Sequence, residues 1–423
     1  MSRGGYIVLA VVAATLVVIL LGRGGGNDTE AGPQPTKVAP EDRPPGVNVP
    51  TDGSSCADKL DRAALEKSLE LGTSFLMNNQ KEEGNFTYEY NWKDKTYTQG
   101  DSQVRQAGAA WGLGLLFLYN PNAEVQAKLD KALAFFKQHS QVGENGRWIV
   151  YPGDPDGSAG TVALVVLTHV EYLRSKSELL TAERRAELEA DFDEYLKFLL
   201  SLRREEDKLW AQRYANADGA PRGEPSPYYD GETMLGMAKA AKYLGRDDLW
   251  PTLIESAHAG RKKYITNALK VDPDSKLTKG FYQWSSMTFF EITTSDQPDV
   301  ETFGDTIIEL ADWMIDVHRT LSRTRNTAYA YEGIIHAYEL ARQRGNTEKA
   351  TKFRCVIEQG LEKLTSWQVG HPLANKYIRE VPTDDPLAIG GIQNHKKEPQ
   401  QRIDVTQHQM HAVLLALKYV FTE

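Results

Sequence analysis

The chain has 423 residues, of which 41% are hydrophobic and 25% charged, with a formal net charge of −9. That composition is ordinary for a folded globular protein, and the length exceeds what one common core fills, so two domains are the default expectation. The acidic balance, with no stripe of Lys and Arg, excludes nucleic acid as a partner, because neutralising phosphates needs clustered cations.

The segment from Gly4 to Gly22 reads GGYIVLAVVAATLVVILLG, carries no charge and is flanked by Arg3 and Arg23. A helix needs about 20 apolar residues to cross a bilayer. A cleaved signal peptide usually has a shorter apolar stretch ending in small residues at an A-x-A-like site. Here the run ends in Arg-Gly-Gly-Gly, so an uncleaved transmembrane anchor over 1–23 is expected. Arg3 and the α-amino group precede it, and Asp28 and Glu30 follow Arg23. The positive-inside bias then puts the N-terminus in the cytoplasm and the body outside it. The expected product is a single-pass inner-membrane protein with its C-terminal domain in the periplasm or outside the cell. Residues 24–56 are rich in Pro, Gly, Asp and Ser with no apolar face, the composition of a disordered tether.

Cys56 and Cys355 are the two cysteines of the chain. An extracytoplasmic location permits a disulfide, and a closed ring would make the first and last helices neighbours. Pairing and two unpaired thiols both remain open, since sequence does not give connectivity.

From 57 to 423 two kinds of helical segment alternate. Segments 58–79, 122–139, 181–203, 247–266, 301–320 and 346–366 are amphipathic, with apolar residues at i, i+3, i+4 and i+7 and a charged face. Segments 103–118, 158–173, 230–243, 281–293, 326–341 and 404–421 are short of charge and rich in Gly and Ala, the pattern of helices buried on all sides. Six outer–inner pairs in strict alternation predict an all-α fold, an (α/α)6 double-layered toroid, and one domain then accounts for the length. Loops into the inner helices are long and hold Tyr, Trp, Asn, Gly and Pro, as in QRYANADGAPRGEPSPYY. Such loops on one rim are where binding sites lie. The inner-helix N-termini, with their partial positive charge, point to the same rim.

Gln80-Lys-Glu-Glu-Gly84-Asn-Phe86 is similar to the Q-x-x-x-G-x-W/F repeat of squalene cyclases and protein prenyltransferase β-subunits. Gln141 to Trp148 is a looser copy with Gly146 at its centre. The segments DSQVRQAGAAWGL, SPYYDGETMLGMA and GGIQNHKKEPQQRIDVTQHQMHAVLLAL resemble bacterial α/α-toroid proteins near the D-glucuronyl C5-epimerase and six-hairpin glycosidase groups. The resemblance covers most of 57–423 and implies the toroid and carbohydrate chemistry. A D-x-D-D acid motif is absent, against terpene cyclisation, and no Cys–Asp–His zinc pattern is evident.

Candidate site residues sit at the starts of inner helices. Asp101, Arg105, Gly108 and Gly112 share a helix face. Asp101 is read as a cap with Arg105 as its partner, or Arg105 as the group that takes a substrate carboxylate. Tyr228, Tyr229, Asp230 and Glu232 cluster at 230–243, with Asp230 placed as N-cap. Glu232 lies on a helix poor in charge, which suits a general acid. Asn326, Tyr329, Tyr331 and Glu332 form a similar group, readable as acid/base residues or as aromatic packing. The last segment offers Arg402, Asp404, Gln407, His408 and His411, with Asp404, His408 and His411 on one face. They are read as a metal site, as a satisfied buried network, or as a His acid/base. The reading adopted is Glu232, His408, Tyr331 and Glu332 as catalytic and Arg105, Tyr229, Trp284, Arg402 and Gln407 as substrate-binding, with no metal and no cofactor.

Two function classes follow. One is an enzyme acting on a uronate-containing polysaccharide as hydrolase, epimerase or lyase, with Trp92, Tyr151, Trp210, Tyr282 and Trp284 as aromatic platforms for sugar. The other is a non-catalytic glycan-binding or cell-envelope assembly protein. A terpenoid or lipid ligand is a third, weaker reading, opposed by the polar residues at the helix starts. Oligomeric state is not legible.

Overall fold

The computed structural model describes residues 55–422. The expected anchor 1–23, and the tether 24–56 apart from its last two residues, lie outside the described residues. In chain order the long helices are α1 (Arg62–Asn78), α2 (Gln103–Tyr119), α3 (Ala123–Gln138), α4 (Ala159–Arg174), α5 (Ala182–Ser201), α6 (Pro227–Leu244), α7 (Trp250–Gly260), α8 (Lys276–Thr293), α9 (Glu301–Asp312), α10 (Ala328–Gln343), α11 (Thr347–Thr365) and α12 (Ile403–Tyr419). Both α7 and α9 run on through π-helical turns, Arg261–Asn267 and Trp313–Val317.

The even-numbered helices form a closed inner ring. Helix α2 packs on α4, α4 on α6, α6 on α8, α8 on α10, α10 on α12, and α12 back on α2. Each outer helix leans on an inner one, α1 on α12, α3 on α2, α5 on α4, α7 on α6, α9 on α8 and α11 on α10. The charge-poor Gly/Ala character of the inner segments has a direct packing cause. A Cβ at Gly112 of α2 would overlap Gln407 of α12, one at Gly160 of α4 would overlap Tyr229 and Glu232 of α6, and one at Gly231 of α6 would overlap Trp284 of α8. A glycine thus receives a large side chain at several inner contacts, and the helices approach closely. Among the described residues no helix is long and apolar enough to cross a membrane.

The long loops are not wholly irregular, as an all-α reading implies. They hold short strands β1 (Glu89–Asn91), β2 (Thr96–Tyr97), β3 (Ser140–Gly143), β4 (Gly146–Ile149), β5 (Asp156–Ser158), β6 (Arg213–Ala215), β7 (Pro221–Arg222) and β8 (Gln400–Arg402). One sheet has the order β2-β1-β8, with Glu89 opposite Arg402. The loop entering α2 is thereby paired with the loop entering α12, across about 300 residues of chain. Strands of two to four residues leave no periodic trace in a sequence.

The glutamine–glycine motif is a structural joint, and it recurs at the ring closure. Gln80 donates to the carbonyls of Gly84 (3.0 Å) and Lys128 of α3 (2.8 Å). Gln368 donates to those of Gly390 (2.9 Å) and Ser68 of α1 (2.9 Å). Gly84 takes φ +107° and Gly390 φ +88°, and a Cβ at either would overlap a backbone oxygen, Lys131 O and Leu71 O respectively. Each joint therefore locks the loop entering an inner helix onto the next outer helix around the ring, α3 in one case and α1 in the other. In the looser copy Gly146 meets the backbone of α5 in the same way, while Gln141 is exposed on β3.

The pairing of Cys56 and Cys355, left open by the sequence, is made, with Cα atoms 5.0 Å apart across 299 residues. It ties the chain just before α1 to α11. In the loop-entropy description a closure of this length stabilises the fold by about 6 kcal/mol.

At Gly390 a side chain would need both a left-handed backbone and room where Leu71 O stands. Gly390→Ala is expected to cost about 2–4 kcal/mol, read by chemical denaturation. A loss under 0.5 kcal/mol would show that the joint does not hold the ring.

Candidate functional site

Helix α12 carries the site down its length. Asp404, His408 and His411 are four and three residues apart, so they descend the ring by about 6 and then 4.5 Å. At the top Asp404 is clamped by two guanidiniums. Arg402 reaches it in bidentate fashion, Nε to Oδ1 at 3.0 Å and Nη2 to Oδ2 at 2.9 Å, and Arg105 Nε of α2 lies 3.1 Å from Oδ2. Arg105 also donates to the Tyr88 hydroxyl. Burial alone would raise the Asp404 pKa, but the charges of Arg402, Arg105 and His408 outweigh it and hold the carboxyl below its usual range.

One level down, Glu332 of α10 is fully buried, and its Oε1 faces two imidazoles. His408 Nδ1 is 3.2 Å away and His411 Nδ1 3.0 Å away. Burial would favour a protonated carboxyl, yet the charges and hydrogen bonds of the two histidines lower the Glu332 pKa. Its Oε2 is buried without a hydrogen-bond partner. The effect on His408 is reciprocal. Burial opposes its charge, but the Glu332 carboxylate and then Asp404 outweigh that and raise its pKa above the ordinary imidazole value. The His408 side chain keeps 22% of its exposure while that of Glu332 keeps none. Solvent reaches the imidazole and not the carboxylate beneath it.

Below this pair the ring is filled. Trp111 of α2 and Trp284 of α8, on opposite sides of the inner ring, meet with centroids 5.5 Å apart. His411 stands edge-on to Trp111 at 4.9 Å, and Trp284 edge-on to His408 at 6.2 Å. Toward the C-terminal ends of the inner helices lies a buried ionic network. Glu171 is held by Lys239 and by Arg174 at 2.5 Å, and Glu291 by Lys242 at 2.9 Å. The Glu171 carboxyl stays ionised to about pH 2, Lys239 and Arg174 overcoming the cost of burial. These groups satisfy one another.

The residues expected from sequence divide. Arg105, Arg402, Glu332, His408 and Trp284 come together at α12. Tyr229 and Glu232 sit on α6, across the inner ring, both against Gly160 of α4. Tyr331 does not face the mouth. It is fully buried and its ring fills the space above Gly360 of the outer helix α11, so it packs the two layers together. Gln407 lies along Gly108 and Gly112 of α2 and is buried in that helix contact. Asp101 is not the partner of Arg105; it accepts from Gln106 Nε2 (2.7 Å) and the Tyr151 hydroxyl (2.7 Å). Of the aromatic platforms, Trp92, Tyr151, Trp210 and Tyr282 are buried in core or loop packing. The metal reading fails on direction, because Asp404 turns to the arginines while both imidazoles turn to Glu332. Gln283 of α8, beside His408, and Tyr88, on the loop before β1, were not singled out. Tyr88 stands in an aromatic-rich loop, a usable signal; Gln283 gives none.

Asp230 does not cap α6, whose N-cap is Ser226. It is wholly buried on the outward side, accepting from Trp210 N (2.9 Å) and the Tyr264 hydroxyl (2.5 Å). Burial raises its pKa to about 7 against these two donors.

No family model matches the chain, and no curated protein matches it. Solved structures do. A D-mannose isomerase superposes with TM-score 0.58 at 11% identity, covering 86% of this chain and 99% of its own. The cellobiose 2-epimerase of Spirochaeta thermophila gives 0.55 at 13%, covering 85% and 96%. An unsaturated glucuronyl hydrolase specific for heparin gives 0.54 at 12%, covering 84% and 97%. These proteins are α/α toroids of the six-hairpin glycosidase-like kind. The chain shares their fold.

The Asp230 carboxyl gives a pH-dependent stability. The folded state keeps its proton up to about pH 7, the unfolded chain releases it near the ordinary aspartate value, so stability falls as pH rises between the two. Asp230→Asn keeps an acceptor for Trp210 N and removes the titration. It is expected to match the wild type near pH 4 and exceed it at pH 8 by up to about 4 kcal/mol. Denaturation at the two pH values checks this, and an unchanged difference would refute it.

Proposed function

We propose that this protein transforms a carbohydrate by acid–base chemistry at the mouth of the toroid, with His408 as the proton-transferring group. The observation that carries the reading is the His408–Glu332 pair: a solvent-reached imidazole on a wholly buried carboxylate, at the end of the ring where long loops converge. A neutral His408 accepts a proton through Nε2, and Glu332 stabilises the imidazolium that forms. Glycoside hydrolysis needs two carboxyls free to act as acid and base or nucleophile. Asp404 is taken by two arginines and Glu332 by two histidines, so the mouth favours removal of a proton next to a carbonyl or carboxyl, the chemistry of an epimerase, isomerase or lyase. Glu232, opposite His408 on the ring, is the candidate second group, with Tyr229 beside it.

Substrate class follows from charge. Arg105 and Arg402 stand at the entrance around Asp404, and guanidinium groups placed there support a uronate-containing sugar. The apolar run 1–23 supports a membrane-anchored, extracytoplasmic body, and the Cys56–Cys355 disulfide supports an oxidising compartment. A non-catalytic glycan receptor is the second reading, favoured by the Trp111–Trp284 contact that keeps the mouth shallow.

Acidic and neutral saccharides would be incubated in deuterated water and read for exchange at carbon, for unsaturated products and for new reducing ends. Exchange or elimination is expected, falling at least about a hundredfold in His408→Ala. The rate should rise with pH through a midpoint above 6.5 as His408 loses its proton. Glu332→Gln removes the charge that favours imidazolium, so the midpoint moves to lower pH and the plateau drops. Full activity in His408→Ala would reject the assignment, and binding without turnover in the wild type would leave the receptor reading.

A further inference from the structure

His408 Nδ1 has two neighbours that make conflicting demands. Glu332 Oε1 lies 3.2 Å from it, and so does the amide nitrogen of Gln283 from α8. One ring nitrogen cannot donate a proton to the carboxylate and also accept one from an amide. The carboxylate has the stronger claim, because Glu332 is buried, is held ionised by its histidines, and has no other donor to Oε1 besides His411. Nδ1 therefore carries the hydrogen. A glutamine amide is symmetric in outline, and which end faces a neighbour is decided by the hydrogen-bond network around it.

We propose that Gln283 is a positioning residue for His408. Its amide turns the carbonyl oxygen toward Nδ1–H, sharing that hydrogen with Glu332, and turns the NH2 toward the mouth. Two consequences follow. The neutral imidazole is fixed in the Nδ1–H tautomer, which leaves the Nε2 lone pair as the base toward bound sugar. The same amide presents a donor beside that lone pair, suited to a sugar carbonyl or hydroxyl oxygen on the carbon that reacts. Gln283 itself is buried on α8, next to Trp284, whose ring stands edge-on to His408, so the amide has little freedom to leave the imidazole. The other charged groups facing His408 are Glu332 from α10, Asp404 and His411 from its own helix, Arg402 just before it and, through Asp404, Arg105 from α2. None of these supplies a second acceptor directed at Nδ1.

The proposal rests on the acid–base reading only for what His408 is positioned to do. The tautomer is a property of the resting protein, so it is tested without a substrate. Histidine ring nitrogens would be labelled with 15N in the full chain, with the His408 signals assigned by their loss in His408→Ala. Above the imidazole titration, the wild type is expected to show a protonated Nδ1 and an unprotonated Nε2. Gln283→Leu should lower the share of that tautomer and Gln283→Glu should restore it, since a carboxylate oxygen again faces Nδ1–H. On a sugar that the protein turns over, Gln283→Leu should lower kcat about tenfold or more with a smaller change in KM. A protonated Nε2 in the wild type would overturn the proposal, whether or not the leucine variant folds. So would a leucine variant that folds and keeps both tautomer and kcat. The expected tautomer with no sugar turned over would sink the enzymatic reading and leave the amide orientation standing.

Discussion

Closure of the inner ring is the constraint from which the rest follows. Helix α12 must fill the gap between α10 and α2, and it does so with the chain end most distant from the first hairpin. Four devices hold it there: the β1–β8 pairing, the Gln368–Gly390 joint onto α1, the Gln407 side chain seated over Gly112, and the Arg105–Asp404 bridge. The disulfide secures the outer layer at the same seam. Two of these five contacts, the β1–β8 pairing through Arg402 and the Arg105–Asp404 bridge, use residues that also border the mouth. The structure that closes the ring is therefore the structure that assembles the candidate site, and damage to the seam is expected to reach it.

The architecture was readable because helix burial writes itself into composition. Outer helices such as α11 show an apolar stripe and a charged face; inner helices such as α4 show neither. That contrast, repeated around the chain, gives the alternation and hence the ring. The strands escaped because a two- or three-residue pair such as β2 or β7 has no period to detect. The extra copy of the glutamine–glycine joint escaped because Gln368 and Gly390 are separated by an insertion, whereas Gln80 and Gly84 are four residues apart.

The site was legible in part, and the limit is geometric. Helix spacing says which residues share a face of their own helix, so Asp404, His408 and His411 were found together. It does not say what stands opposite. Spacing offers Arg105 the carboxylate of Asp101, four residues before it, while the carboxylate it meets is that of Asp404, brought near only by closure. Tyr331 and Glu332 are adjacent in sequence and about 100° apart on the helix. One therefore points to the outer layer and the other to the ring axis, and composition treats them alike. Gln283 is neutral, common and buried, with nothing in its neighbourhood along the chain to mark it.

The two histidines of α12 differ in position rather than in residue type. His408 and His411 stand three residues apart on one helix and donate to the same oxygen of the same carboxylate. His411 is enclosed by Trp111 and the filled centre of the ring, so it can only steady Glu332. His408 lies one turn nearer the mouth, where it is partly exposed and the Gln283 amide meets it. A second donor on Glu332 also weakens the hold that a lone imidazole would feel. The buried histidine thus serves the exposed one, and the difference between them is about 4.5 Å of depth along α12.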